Sequence, residues 1–148
     1  MAFKRILIAV NDEQYAGEVT RVACELAFSL QAKLAMVYVV DQRLLIQPPD
    51  QELQLLDTLA LMREEGTRVL DTLTRRYAPE SPVERFLPEG SPSKEILRVA
   101  DEWKADLIVL GTHGRSGLLQ LISGSISTYV KHHAPVPVLI VPSQHPAG

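Results

Sequence analysis

Short apolar runs alternate along this chain with stretches whose apolar residues recur every three or four positions. Arg5 to Val10 is an almost unbroken apolar run ending in Asn11, Asp12 and Glu13. That pattern predicts a strand buried on both faces of a parallel sheet. Val19, Val22, Ala23, Leu26, Ala27 and Leu30 then fall at helical spacing. Leu34 to Val40 predicts a second strand, and Asp41 to Pro49 a loop closed by Pro48 and Pro49. Leu55, Leu59, Met62, Gly66, Val69, Leu73 and Tyr77 share one face of a long second helix. Gly66 weakens that helix by about 1 kcal/mol, a cost that close approach to the sheet would offset.

The turn Ala78-Pro79-Glu80-Ser81-Pro82 leads into a third strand, Val83 to Leu87. Ser91 and Pro92 have the chemistry of an N-cap and first helical residue. Ile96, Leu97, Ala100, Trp103 and Lys104 continue that helix, with the single tryptophan as a core anchor. Asp106 opens a fourth strand, Leu107 to Leu110, followed by a glycine-rich loop, Gly111 to Gly117. Ile122, Ile126, Tyr129, Val130 and His133 mark a last helix, and Val138 to Val141 a last strand. Five strands alternating with four helices predict parallel pairing and right-handed crossovers. The expected fold is a single Rossmann-like domain, a three-layer α/β/α doubly wound sheet over residues 1–143, with 144–148 a disordered tail. Ligands of such sheets bind beyond the carboxyl ends of the strands, where strand order reverses. The strand ends concerned are Val10-Asn11, Val39-Val40-Asp41 and Leu110-Gly111.

Composition narrows the partners. The chain has 148 residues, 46% of them hydrophobic, 22% charged, and a formal net charge of −3. This balance argues against nucleic acid or an anionic membrane as a bulk partner, so any phosphate site must be local. Cys24 is the only cysteine, which excludes an internal disulfide and a thiol metal cluster; its apolar neighbours predict a buried, inert thiol. The apolar run after Lys4 and Arg5 is too short for a signal peptide, and no stretch reaches membrane-spanning length. The expected location is the cytoplasm.

The chemistry concentrates after the fourth strand. Gly111-Thr112-His113-Gly114-Arg115-Ser116-Gly117 follows that strand directly, and Gly124-Ser125-Ile126-Ser127-Thr128 lies where the last helix is expected to start. Glycines let the backbone approach a phosphate chain closely. Free N–H groups and the positive end of a helix dipole then face the anion. Ser125, Ser127 and Thr128 add hydroxyls, and Arg115 a cation. The same glycines could simply make tight turns. Neither a Walker A loop nor a GxGxxG fingerprint occurs.

Gly111-x2-Gly114-x9-Gly124-Ser125 resembles the G-2x-G-9x-G-(S/T) motif of ATP-binding universal stress proteins. Asp106 to Gly117, the N-terminal Ile-Leu-Ile-Ala-Val, Gly90-x-Pro92 and Val136 to Val141 are also similar to that family. The resemblance implies an adenine nucleotide alpha hydrolase-like sheet. It implies adenine between the ends of the first two strands, lined by Ala9, Asn11 and Val39, with the Val39 backbone at the adenine edge. It implies ribose and phosphates wrapped by Gly111 to Gly117, and phosphate oxygens bound by Ser125, Ile126 and Ser127. ATP is the implied ligand, with AMP or cyclic AMP as alternatives and Mg²⁺ arriving on the phosphates. The family usually has Asp where this chain has Asn11; an amide both donates and accepts, whereas a carboxylate only accepts.

Other residues carry less. His113 is in the glycine loop, His132 and His133 end the last helix, and His145 is in the tail. No HxxxH, CxxC or GxSxG pattern is present. Pro137 and Pro142 bracket the last strand, which predicts a sheet edge. Pairing Val138 to Val141 with a second copy would cover it, and the resemblance implies the same homodimer. The leading function is a regulatory, ATP-binding stress-response module read by a protein partner. An interaction protein that binds no nucleotide, and a slow ATPase or phosphotransfer enzyme, are the alternatives.

Overall fold

The computed structural model describes residues 3–11, 13–41, 52–111 and 120–142, with the side chains of all but 13–14, 52–55 and 120–125. In chain order its elements are β1 (Arg5–Val10), α1 (Glu13–Leu30), β2 (Lys33–Tyr38), α2 (Glu52–Tyr77), β3 (Val83–Phe86), α3 (Pro92–Trp103), β4 (Leu107–Gly111), α4 (Gln120–His133) and β5 (Val138–Val141). The strands form one five-stranded sheet in the order β3-β2-β1-β4-β5. Every neighbouring pair is parallel. The chain winds outward from β1 to β3, crosses back past β1, and winds outward again to β5. This is the doubly wound α/β fold that the apolar periodicity predicts.

Each face of the sheet carries two helices and its own core. Ile6, Ile8, Val10, Met36 and Tyr38 point to the α1/α2 layer, where Ala23, Ala27, Val69 and Leu73 meet them. Leu7, Val37, Ile108 and Leu110 point to the other layer, with Ile96, Val99, Trp103 and Val130. The alternation along each strand supplies both faces, as a sheet covered on two sides requires. Trp103 is thus a core anchor.

The buried stripe of α1 is rotated from its expected position. Ala16, Val19, Thr20, Ala23, Cys24 and Ala27 are the buried set, while Val22 and Leu26 are half-buried at its flank. Small residues let this helix lie close to the sheet, so bulk decides which residues face it less than the hydropathy pattern implies. On α2, a Cβ built at Gly66 would lie 2.5 Å from Leu87 Cδ2 and 2.7 Å from Tyr38 Cδ1. The glycine therefore permits the close approach that its cost to the helix calls for.

Several boundaries shift for identifiable reasons. β3 stops at Phe86 rather than Leu87, the residue whose side chain packs near Gly66. β2 ends at Tyr38, where its partner β1 also ends at Val10. α3 ends at Trp103, and Lys104 is its left-handed C-cap with φ 65°, its N–H turned back to the last helical carbonyls. Ser91 occupies the N-cap position before Pro92, but its hydroxyl makes no capping hydrogen bond; its carbonyl accepts from Glu95 N–H at 2.9 Å. At the amino end of the sheet, the Asp106 carboxylate accepts from Lys4 N–H at 2.8 Å and Arg5 N–H at 2.9 Å. That pairing fixes the start of β1 against the entry to β4.

Candidate functional site

The order of strands places the topological reversal between β1 and β4. Their ladder runs from Ile6↔Leu107 to Ile8↔Val109. Beyond it, β1 remains paired with β2 through Val10↔Tyr38, and β4 with β5 through Gly111↔Val141. Each strand therefore keeps its outer neighbour to the end while the two central strands stop pairing with one another. Parting of this kind at a reversal opens a crevice at the carboxyl ends.

The apolar residues expected at the site pack on one side of the sheet, against the α3/α4 core. Ala9 is the penultimate residue of β1, Val39 the first residue beyond β2, and both pack half-buried against the α3/α4 core. Ile126 of α4 packs half-buried against the same core. Asn11 and Val39 directly follow the last β1–β2 pair, so these two half-buried residues sit at adjacent strand ends. Gly111 is the last residue of β4 rather than the first of the loop. Together they offer a small side chain, two aliphatic walls, an amide and a bare backbone position.

The phosphate side differs from expectation in one respect. α4 starts at Gln120, so Gly124 and Ser125 lie in its second turn rather than at its beginning. Free helical N–H groups belong to the first turn, and the helix-forming Gln120 and Leu121 extend the helix ahead of the glycine. Ser127 is buried, 8% exposed, and engaged in an interaction of its own, while Thr128 is exposed. Thr112, His113, Gly114, Arg115, Ser116 and Gly117 lie outside the described residues, as do Asp12, most of the 41–49 loop and His145.

A segment that the periodicity did not single out also reaches this end of the sheet. Val40 N–H donates to Pro88 C=O at 2.8 Å, and Val40 C=O accepts from Gly90 N–H at 3.0 Å. Val40 thereby forms an isolated parallel bridge with Glu89. Gly90 has φ +149°, a conformation that favours glycine. The signal was available: Pro88 and Gly90 punctuate the chain just after a short strand, but their partner is distant in sequence.

The model of the universal stress protein family matches residues 2–142. The chain belongs to that family. A universal stress protein of Methanocaldococcus jannaschii, MJ0531, is 32% identical over 142 residues, covering 94% of this chain and 82% of its own length. Universal stress protein UspA from Lactobacillus plantarum superposes with a TM-score of 0.84 at 26% identity, covering 95% of this chain and 99% of that one. A universal stress protein in complex with cAMP has a TM-score of 0.68 at 22% identity, covering 97% and 100%. Universal stress proteins of the same fold are also solved with dAMP, from Archaeoglobus fulgidus (21% identity, TM-score 0.62), and with AMP, from Arabidopsis thaliana (16%, 0.68). At those identities the likeness shows the fold.

Proposed function

We propose that this universal stress protein is a regulatory module that binds an adenine nucleotide, ATP or in its place AMP or cyclic AMP, in the crevice where β1 and β4 part. The observation that carries the reading is the lapse of the β1–β4 ladder beside Ala9, Asn11, Val39 and Gly111. The donor set fits the ligand: apolar walls for a base, an amide for its edge, and a glycine where the backbone must approach a phosphate chain. Gly114 extends that cradle from Gly111, with Arg115 as its cation. Relatives of this fold solved with cAMP, dAMP and AMP support an adenine ligand. Mg²⁺ would enter on the phosphates, which need no dedicated carboxylate cage.

The same reading has the module act as a cytoplasmic homodimer, its loops read by a protein partner in a stress response. β5 supports the dimer. It is an edge strand of four apolar residues, whereas the opposite edge, β3, exposes Glu84 and Arg85 and pairs Arg85 with Asp71. Charge protects one edge and leaves the other open to strand addition. Among the described residues, no helix is long and apolar enough to cross a membrane.

Denaturing the purified protein and chromatographing what it releases tests the nucleotide directly. Adenine nucleotide is expected from the native chain and none from Gly114→Val, with the fold retained. Equal nucleotide from both would remove the glycine loop from the site; none from either, with no ATP binding on titration, would remove the function.

A further inference from the structure

The geometry points to Glu89 and Gly90 as positioning residues for the base-binding edge, acting through Val40. The inference rests on the nucleotide reading given above. Val39 is the residue whose backbone would meet the base, and it lies between two fixed points. On one side Tyr38 is paired with Val10. On the other, Val40 is fully buried, and its N–H and C=O are both taken by the 88–90 segment at 2.8 and 3.0 Å. Because peptide units are planar, holding Tyr38 and Val40 fixes the direction in which Val39 presents its backbone.

The segment is itself held at both ends. Glu89 pairs with Arg63 of α2. Gly90 runs at φ +149° into the start of α3, and a Cβ there would sit 3.0 Å from Glu95 Cγ. The ion pair thus ties α2 to the backbone bridge on the Val40 side of Val39, and the glycine allows the bridge to form without strain. Arg63 is more than half exposed, so neutralising it disturbs the strap without removing core packing.

Calorimetric titration of the full chain with ATP and with GTP tests this in wild type, Gly90→Ala and Arg63→Gln. Gly90→Ala is expected to weaken ATP binding about tenfold through backbone strain. Arg63→Gln is expected to weaken it about twofold, the scale of an exposed pair. GTP affinity should hold in both, because a misplaced Val39 backbone affects a fitted base and leaves the phosphate cradle alone. If both variants bind ATP as wild type does, or lose ATP and GTP by the same factor, the positioning role is overturned. Should Gly90→Ala fail to fold, Arg63→Gln decides by the same criteria. A wild type that binds no ATP overturns the parent reading, and this inference with it.

Discussion

Replacing Gly66 by alanine sets two terms of opposite sign against each other. Alanine in a helix interior is worth about 1 kcal/mol over glycine. Its methyl group, however, would lie 2.5 Å from Leu87 Cδ2 and 2.7 and 2.9 Å from two Tyr38 ring carbons. Tyr38 is 2% exposed and is the last paired residue of β2, so its ring has little room to retreat. Overpacking of a filled core costs about 1–3 kcal/mol. The net is a destabilisation of about 1 kcal/mol, or roughly 2–4 °C in thermal midpoint for a domain of this size. Calorimetry on wild type, Gly66→Ala and Gly66→Val should show a progressive fall. Leu87→Ala in the Gly66→Ala background removes the nearest atom, so the double variant should be more stable than the two single losses added together. A midpoint that rises in Gly66→Ala would mean that helix propensity wins and that α2 does not approach β2 as closely as described.

Burial pushes the Cys24 thiol up to about 11 from 9.0. The folded value lies above the unfolded one, so this stabilising contribution is complete below about pH 9 and is lost as pH rises towards about 11, at about 1.4 kcal/mol per pH unit. Denaturant midpoints of wild type should fall more steeply across that window than those of Cys24→Ala; parallel slopes would refute it. Lys104 holds a left-handed φ of 65° at the end of α3, so Lys104→Gly should raise stability by up to about 1 kcal/mol, and a lower melting midpoint would contradict the cap. Val138→Lys charges the proposed dimer edge; sedimentation should find the wild type dimeric and the variant monomeric, with circular dichroism unchanged, and two monomers or two dimers would contradict the edge.

Much of the fold was legible because apolar runs of strand length and helical stripes alternate without ambiguity from β1 to β5. What periodicity could not set was rotation and close approach. The α1 stripe turned towards its small residues, Ala16, Ala23 and Ala27, and took in Thr20 and Cys24, since packing distance depends on side-chain volume that a hydropathy pattern ignores. At the carboxyl end of the sheet, Val39 and Gly111 were legible as residues at strand ends, which in a parallel sheet converge whatever the loop lengths, whereas Ala9 was named only through the family resemblance. The start of α4 was not, because a glycine after helix-forming residues weakens a helix without stopping it. Nor was the grip of Pro88 to Gly90 on Val40: the proline and glycine mark a turn, but nothing local names a partner some fifty residues away.

Amide NMR titration of the isotope-labelled chain with ATP tests the proposed crevice between β1 and β4 residue by residue. Saturable shifts at Asn11, Val39 and Gly111, with the amino end of β1 unmoved, are the predicted result. An ATP titration that leaves those three amides unshifted, or moves residues at the other end of the sheet instead, would contradict it.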